Sequence, residues 1–401
     1  MKKSLFALAA VGAFAGAAQA QSSVSVYGIM DGSYTASEVN STTTAGVKST
    51  WQQRNTVNGD GALSTSRLGF RGVEDLGGGM KANFNLEYDL VNIGTGGQGN
   101  TNAANETSAG TSSTANGFGA RLSFIGIEGG FGQFRIGRQE SNIHATIASN
   151  LAGGANNVLG SLYSSGDGGS TMTTLGPGVR PHSVYVNQAL TFISPNFAGV
   201  TFTAQTSKNS FSQSSTTTGL TIPSAGASQS GASIAYTGVK MLRLDAGMIV
   251  ENVVEANVRN VKRSTKALGG NYDFGIAQVF ALHTQNKYEN LNTNETLSDT
   301  KLTEVGVKAP VTKVIGVWGN YFKGNRSNSL GTSTTMAQAT GNSAALATAD
   351  IKGFQLGTTY AFSKRTTAYG IYGTQQLDGN RTAQGAKLDG TMYAVGLRHT
   401  F

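Results

Sequence analysis

One segment of the chain alternates strictly between apolar and polar side chains. It reads M-K-A-N-F-N-L-E-Y-D-L from Met80 to Leu90. Neighbouring side chains of an extended chain point to opposite sides, so the apolar residues share one face and the polar residues share the other. This pattern predicts a β-strand with one apolar and one charged face. Soluble β-sandwiches contain such strands too, but here similar segments recur over the whole chain.

The N-terminus has the features of a secretory signal peptide. Lys2 and Lys3 precede an apolar run from Leu5 to Ala17, and the small-residue tripeptide A-Q-A ends at Ala20. We expect cleavage after Ala20, which gives a signal peptide at 1–20 and a single domain at 21–401. The apolar run is shorter than the roughly 20 residues that a spanning helix needs. No later segment is long and apolar enough, so no transmembrane helix is predicted.

Composition favours a membrane barrel over an ordinary secreted enzyme. The chain has 55 Gly, 5 Pro and no Cys, and 13% of its residues are charged. An apolar exterior and a polar interior cancel in the mean hydropathy, whereas the alternation along each strand persists. Without Lys2 and Lys3, 28 basic residues face 22 acidic ones, a net charge of +6. A basic exterior would attract lipopolysaccharide, a basic lumen would concentrate anions, and surface charge that only aids solubility is the third possibility.

Amphipathic segments occur in pairs that are joined by short turns and long polar stretches in alternation. The short turns lie near residues 75–79, 129–132, 194–197, 273–275, 310–313 and 363–365. The long connections are expected near 36–62, 92–117, 139–181, 209–230, 289–300 and 324–351. The candidate strands begin near residues 23, 63, 80, 118, 131, 182, 199, 231, 241, 264, 275, 301, 313, 352, 365 and 390. About 16 antiparallel strands predict an all-β transmembrane barrel, large enough to enclose a water-filled channel.

Four segments together carry a resemblance to a known family. They are S-V-Y-G-I-M-D from Ser25, S-R-L-G-F-R-G-V-E-D-L-G-G-G from Ser66, G-G-F-G-Q-F-R-I-G-R-Q from Gly129, and Y-A-V-G-L-R-H-T-F from Tyr393 to Phe401. In combination they resemble the general porins of Gram-negative outer membranes, most closely the betaproteobacterial type. The resemblance covers nearly the whole exported chain.

The resemblance implies a homotrimer of 16-stranded barrels, each with its third long loop folded into the lumen. Here that loop is expected at 139–181. Porins of this type carry arginines on the wall opposite the loop, and Arg67, Arg121 and Arg180 match these positions. Alternation tests the match, because Arg67 and Arg71 share a face opposite Leu68 and Phe70. Arg121 likewise opposes Leu122 and Phe124, and Arg135 opposes Phe134 and Ile136, whereas Arg180 lies at a loop end.

The expected constriction has few acidic residues facing these arginines. Residues 139–181 contain only Glu140 and Asp167. A ring of arginines in a pore selects anions, so we expect a net positive opening that prefers small anions. Other charges that face the lumen also contribute to the field, namely Lys81, Glu87, Asp89, Arg243, Asp245 and Glu251.

The last strand resembles the signal that is read by the outer-membrane assembly machinery. Tyr393, Val395, Leu397 and Phe401 share one face, although Phe401 could also be an ordinary interfacial aromatic residue. The expected location is the outer membrane. The expected partners are lipopolysaccharide and other outer-membrane lipid, the barrel-assembly machinery, periplasmic chaperones, small hydrophilic solutes and anions, but not nucleic acid.

Motifs for enzyme chemistry are nearly absent. Gly94, Gly96 and Gly99 form a G-x-G-x-x-G, but they lie in a polar loop without the strand-turn-helix context that nucleotide binding needs. His144, His182, His283 and His399 are too scattered to suggest a metal site. We therefore expect no enzyme activity, cofactor or metal. The alternatives are a substrate-specific outer-membrane channel, an outer-membrane hydrolase and an exported adhesin-like β-protein.

Overall fold

The strands predicted from alternation form one antiparallel sheet in the computed structural model. The described residues are 23–42, 46–57, 61–90, 119–163, 184–210, 216–217, 220–221, 226–255, 259–291, 294–328, 348–379 and 387–401. The predicted signal peptide, Arg180 and Asp167 lie outside them.

The described strands and the helix have the following bounds: β1 Ser23–Thr42, β2 Lys48–Val57, β3 Arg67–Gly77, β4 Met80–Asp89, β5 Gly119–Gly129, β6 Gly132–Glu140, α1 Asn142–Ala148, β7 Tyr185–Ile193, β8 Val200–Ser210, β9 Thr216–Thr217, β10 Leu220–Thr221, β11 Gly226–Tyr236, β12 Leu242–Glu255, β13 Arg259–Asp273, β14 Gln278–Asn290, β15 Glu295–Pro310, β16 Ile315–Asn328, β17 Ala349–Ala361, β18 Thr366–Gly379 and β19 Lys387–Thr400. No helix among the described residues is long and apolar enough to cross a bilayer.

Each strand pairs with its neighbour along the sheet until the first strand meets the last. β1 pairs with β19 from Ile29↔Thr400 to Thr42↔Lys387, which closes the sheet into a barrel. β3 and β2 occupy one position, because they pair with successive stretches of the same edge of β1. The 17 described strands of this sheet therefore form a 16-stranded wall, and the predicted antiparallel barrel is confirmed.

Apolar side chains of the wall point outward, away from the protein interior. Ile125 and Ile136 are register partners on β5 and β6, with 63% and 62% of their surface exposed. The polar residues between such positions face the interior, as Thr191 does between exposed Leu190 and the next outward residue, Phe192. An apolar exterior around a polar interior is the arrangement of a barrel whose solvent outside is lipid.

Short turns lie on one rim of the barrel. In the turn from β3 to β4, the amide of Gly77 donates to Oδ1 of Asp75 over 2.9 Å, and Gly77, Gly78 and Gly79 all have positive φ. This Asx arrangement recurs between β13 and β14, where Gly275 donates to Asp273 over 2.8 Å. Glycine adopts these left-handed conformations without a steric penalty, which is why the chain reverses there.

Three predicted long connections are wrong in extent. Residues 36–42 and 48–57 of the expected loop at 36–62 pair with each other as parts of β1 and β2. β14 ends at Asn290 and β15 begins at Glu295, so only residues 291–294 of the expected loop at 289–300 lie outside the strands. The expected loop at 209–230 contains β9 and β10, and β11 begins at Gly226. In each case polar strands continue beyond the apolar band, where alternation between apolar and polar residues fades.

The segment that follows β6 lies against the inner face of the wall. Its first turn is α1, where the Ser141 hydroxyl caps the helix by accepting from the amide of His144 over 3.2 Å. Ile143, Ile147 and Leu162 of this segment are fully buried in one cluster with inward-facing residues of distant strands. We call residues 141–163 the inner segment.

Candidate constriction site

Three strands bring two arginines to one carboxylate. Nε of Arg121 on β5 lies 2.7 Å from Oε1 of Glu87 on β4, and Nη1 of Arg67 on β3 lies 3.7 Å from the same oxygen. The Glu87 side chain is only 6% exposed, whereas those of Arg121 and Arg67 are 12% and 22% exposed. Two guanidinium groups share this nearly buried carboxylate, and Asp89 and Glu140 lie close enough to interact with Arg121 electrostatically.

Tyr27 on β1 supports the cluster from the other side. Its hydroxyl lies 2.9 Å from both Oε2 of Glu87 and Oδ1 of Asn85, two acceptors on β4. The guanidinium carbon of Arg71 lies 5.2 Å from the centre of the Tyr27 ring, within range of a cation–π interaction. Arg71 therefore lies on the same inner face as Arg67, as the alternation predicts.

A β-bulge, rather than simple alternation, turns Arg121 inward. The register of β4 and β5 shifts between Glu87 and Tyr88, so that Arg121 is an extra residue on β5. Beyond the bulge, Ser123 and Ile125 are exposed on the outer face, and Phe124 faces inward. The expectation that Arg121 opposes an outward Phe124 is therefore wrong, although Arg121 does reach the interior. A bulge adds one residue and reverses the side on which later residues lie.

Arg135 occupies the inner face of β6, nearer the turn rim. Its guanidinium carbon lies 4.9 Å from the centre of the Phe124 ring. Its Nε donates to Oε1 of Gln133 over 2.9 Å. Phe134 and Ile136 on either side are exposed outward, as the alternation predicts. Arg135 thus contributes positive charge below the Arg67–Arg121 pair.

Tyr185 and Arg138 contact the arginine cluster, although alternation along the strands does not predict that they belong to the constriction. The guanidinium carbons of Arg138 and Arg121 lie 4.9 Å and 5.3 Å from the centre of the Tyr185 ring on β7. The register of β6 and β7 shifts between Gly137 and Gln139, and Gly137 has a φ of 128°. The glycine before Arg138 was the only sequence signal that could have indicated this second bulge.

Glu140 ends β6 and leads into the inner segment. Its side chain is exposed, and its backbone carbonyl accepts from Nε2 of Gln205 over 3.0 Å. The structure therefore places Glu140 at the start of the segment and close enough to Arg67, Arg121 and Arg135 to interact with them electrostatically, while Arg180 and Asp167 are not among the described residues. Those two remain sequence predictions.

The inner segment contributes only neutral groups to its contacts with the wall opposite the arginines. Nδ2 of Asn150 donates to Oδ2 of Asp245 on β12 over 2.9 Å, and Nδ2 of Asn271 on β13 donates to the Ser149 carbonyl over 3.0 Å. Further along, the amide of Asn157 donates to the Ala62 carbonyl over 2.9 Å, just before β3. The segment thus follows the wall from β8 to the residues before β3.

Gln355 on β17 is the main polar anchor of the segment. Its Nε2 donates to the carbonyls of Val158 and Leu159 over 2.8 and 3.0 Å, and its Oε1 accepts from Asn156 over 2.7 Å. Gln355 is fully buried, while Phe354 and Leu356 beside it are exposed on the outer face. The inner segment consequently lies inside the barrel at this strand.

Glu304 on β15 is a second anchor. Its Oε2 accepts from the amide of Leu162 over 2.5 Å and from Oγ of Ser161 over 3.4 Å. Glu304 is 3% exposed. A buried carboxylate needs such donors. A buried acceptor without a hydrogen bond destabilises the folded state by about 1–3 kcal/mol, and a charged one by more.

A charged cluster on one inner wall and a hydrogen-bonded segment along the other lie within one closed barrel with an apolar exterior, which is the architecture of a membrane channel. The sequence profile of the Gram-negative porins matches residues 7–380. The chain therefore belongs to the Gram-negative porin family, and it forms an outer-membrane diffusion channel.

Individual relatives agree with this assignment. The chain is 28% identical to outer membrane porin protein 32 of Delftia acidovorans over 293 residues, which are 72% of this chain and 71% of that protein. It is 37% identical to the major outer membrane protein P.IB of Neisseria meningitidis over 81 residues, 20% of this chain and 19% of that protein.

Solved structures share the fold. The anion-selective porin from Comamonas acidovorans aligns with a TM-score of 0.66 and 23% identity, covering 95% of this chain and all of that one. The trimer form of OmpT from Vibrio cholerae aligns with a TM-score of 0.60 and 14% identity, covering 95% and 99%. The predicted resemblance to betaproteobacterial general porins is confirmed.

Proposed function

We propose that this porin prefers anions, and that its constriction lies between the arginine wall and the inner segment. One observation carries the proposal: Arg67 and Arg121 both pair with the carboxylate of Glu87, while residues 141–163 contain no acidic side chain. The segment that faces the arginines therefore adds no negative charge of its own. The expected result is a positive potential across the opening.

The low-dielectric wall strengthens this potential. Field lines from lumenal charges are focused through the water of the opening, which raises the local concentration of ions of opposite sign. Arg71 and Arg135 extend the positive surface along the same wall, and Arg180 is proposed to add to it. Glu140 and Asp167 are proposed to reduce it at the ends of the long loop. Small hydrophilic solutes are proposed to pass without a dedicated binding step, and no residue is given a catalytic role.

The proposal extends to how the chain is exported, inserted into the membrane and assembled. Residues 1–20 act as a cleaved signal peptide, and the outward residues Tyr393, Val395, Leu397 and Phe401 form the recognition surface for barrel assembly. Periplasmic chaperones keep the amphipathic strands from aggregating before insertion. A homotrimer is proposed, supported by the trimeric form of the similar Vibrio structure. Lipopolysaccharide is the proposed outer-leaflet partner.

Reversal potentials in planar bilayers under a KCl gradient test the selectivity. We expect chloride preference in the wild type and a marked loss of it in Arg67→Ala plus Arg121→Ala, because Glu87 then contributes uncompensated negative charge. Arg54→Ala plus Arg365→Ala is the matched control, since both side chains are exposed and neither residue belongs to β3, β4 or β5, which carry the cluster. Equal selectivity in the lumenal variant and the control would contradict the assigned constriction.

Glu87→Gln provides a test of opposite sign. Glutamine keeps an oxygen that can accept from Tyr27 but removes the negative charge between the arginines. We expect the ratio of chloride to potassium permeability to rise above that of the wild type, measured in the same bilayers. A fall in this ratio would show that Glu87 does not control the field of the opening.

A further inference from the structure

The first two of the four segments that carry the family resemblance meet inside the barrel. Asp31 ends the first segment and Ser66 begins the second. The Asp31 amide donates to Oγ of Ser66 over 2.9 Å, and both residues are fully buried. This contact joins β1 to the residues that precede β3. We call residues 61–66 the strap.

The Asp31 carboxylate holds the strap against the wall. Its Oδ2 accepts from the Ser64 amide over 2.7 Å, and its Oδ1 accepts from the hydroxyl of Tyr369 on β18. That hydroxyl accepts in turn from the Ala62 amide over 3.2 Å. A Cβ placed on Gly61 would lie 2.3 Å from Cγ of Asp31, so the strap packs directly on the carboxylate. Both carboxylate oxygens therefore have donors, as a fully buried carboxylate requires.

The strap also contacts both sides of the candidate constriction. On the arginine wall, the Thr65 carbonyl accepts from Nε of Arg67 over 3.1 Å. On the inner segment, Nδ2 and the backbone amide of Asn157 donate to the carbonyls of Gly61 and Ala62, each over 2.9 Å. Ala62 and Thr65 are three residues apart, and three residues of extended chain span at most about 11 Å. The strap therefore limits how far the end of the inner segment can lie from Arg67.

We propose that Asp31 is a positioning residue for the constriction and sets the size limit and the anion preference of the channel through the strap. Asp31 is fully buried, so it does not contact a passing solute. It acts by fixing the Thr65 carbonyl that orients Arg67 and the Ala62 carbonyl that holds Asn157. The part of this inference that concerns anions rests on the proposed function, whereas the size limit rests on the channel alone.

A purely structural role of Asp31 predicts a different result from a positioning role. If Asp31 only stabilised the barrel, its loss would lower the unfolding temperature and leave the size limit of folded channels unchanged. Loss of a positioning residue instead frees the guanidinium of Arg67 and the end of the inner segment in barrels that stay closed. The pairing of β1 with β19 uses backbone groups, so closure does not need the Asp31 side chain.

Two substitutions of Asp31 separate its contacts from its charge. Asp31→Asn keeps an oxygen that accepts from the Ser64 amide and gains an amino group that donates to the Tyr369 hydroxyl, whereas Asp31→Ala removes both contacts. The measurements are the largest polyethylene glycol that enters the purified channel and lowers its conductance, and the ratio of chloride to potassium permeability. We expect Asp31→Ala to admit larger polymers than the wild type and to shift the permeability ratio toward one. Asp31→Asn is expected to keep the wild-type size limit and a ratio no lower than that of the wild type.

Tyr369→Phe tests the same network while it keeps the buried ring. The substitution removes one donor to Asp31 and one acceptor for the Ala62 amide, so we expect smaller shifts in the same directions. Tyr372→Phe is the matched control, because Tyr372 lies on the same strand but is 42% exposed on the outer face. The control is expected to behave as the wild type does. If Asp31→Ala yields no folded barrel, this pair of variants decides.

The size limit decides the proposal independently of the ion preference. Equal size limits in Asp31→Ala and Asp31→Asn would overturn it, even if Asp31→Ala unfolds at a lower temperature. Equal size limits in Tyr369→Phe and Tyr372→Phe would also overturn it, because the strap would then not depend on the Asp31 network. Cation preference of the wild type would contradict the proposed anion preference, but a larger size limit in Asp31→Ala would still support the positioning role.

Discussion

Glycines on the inner face allow the inner segment to contact the backbone of the wall. A Cβ placed on Gly373 of β18 would lie 1.7 Å from the carbonyl oxygen of Leu159. A Cβ placed on Gly160 of the segment would lie 1.9 Å from the carbonyl oxygen of Phe354, and Gly160 has a φ of 89°. Neither backbone contact can yield as a flexible side chain would. Alanine at either position must displace the segment or the strand.

Gly373→Ala is therefore expected to lower the stability of the barrel and to change its conductance. Overpacking of this kind costs about 1–3 kcal/mol. Thermal unfolding followed by circular dichroism measures the first effect, and single-channel recording measures the second. Gly370→Ala on the same strand is the control, because its nearest neighbour is 3.8 Å from the added Cβ. Identical behaviour of the two variants would contradict the described contact.

The sequence predicts the position of some constriction residues better than that of others. Arg67, Arg71 and Arg135 lie on strands that alternate regularly around them, so their inward orientation can be read from their neighbours. Arg121 and Arg138 lie at register shifts, where one added residue changes the side of the wall. Alternation cannot reveal a bulge from one strand alone, because the shift is defined by the partner strand.

Among the elements, the inner segment depends on two buried side chains of the wall. Gln355 satisfies the carbonyls of Val158 and Leu159, and Glu304 satisfies the amide of Leu162. Loss of either partner leaves buried backbone groups without hydrogen bonds, at about 1–3 kcal/mol each. The segment is otherwise held by the apolar cluster that contains Ile143 and Leu162.

Glu304→Leu is expected to release the end of the segment from the wall. We expect larger current fluctuations and altered open conductance in single-channel recordings, because the segment then samples several positions. Glu304→Gln is the matched control, since its amide oxygen can still accept from Leu162. A Glu304→Leu channel as quiet as both the control and the wild type would show that the apolar cluster alone fixes the segment.

The terminal strand closes the barrel at the turn rim. Phe401 and Gly28 exchange two backbone hydrogen bonds of 3.1 Å, and the phenyl ring of Phe401 covers Gly28. A Cβ on Gly28 would lie 2.3 Å from that ring. Phe401 is 45% exposed on the outer face, so its ring is accessible to lipid or to an assembly factor.

Phe401→Ala separates an assembly signal from an interfacial aromatic residue. We expect less folded porin in the outer membrane of cells but nearly normal refolding of the purified chain in detergent. Phe362→Ala, which removes a 65% exposed phenylalanine from the same rim, is expected to affect neither. Equal losses in cells for both variants would favour the interfacial role alone.

The sequence predicts strand positions well where one face meets lipid. β4 begins at Met80 and β8 at Val200, as the alternation of their residues indicates. The sequence does not predict the pairing of β1 with β2, because polar residues such as Glu38, Asn40 and Gln52 interrupt the apolar side of the alternation. Glu38, for example, accepts from Asn40 and Gln52 over 2.8 and 2.7 Å. Strands that extend above the membrane do not need an apolar face.

At the scale of the whole molecule, the barrel separates three environments by charge and polarity. Arginines line one inner wall, a neutral segment follows the other, and an apolar band covers the exterior. Contacts that fix the segment join residues far apart in the chain, as Asn156 and Gln355 do. Such contacts cannot be derived from local patterns, although the closed fold itself follows from the number and the alternation of the strands.

The sign of the wild-type reversal potential in a planar bilayer tests the central claim most directly. We expect stepwise channels whose reversal potential under a KCl gradient shows that chloride is more permeant than potassium. That result follows from Arg67, Arg121 and their neighbours facing a segment without acidic residues. A potential of the opposite sign, measured on folded barrels that conduct, would contradict the claim that the arginine wall controls which ions pass.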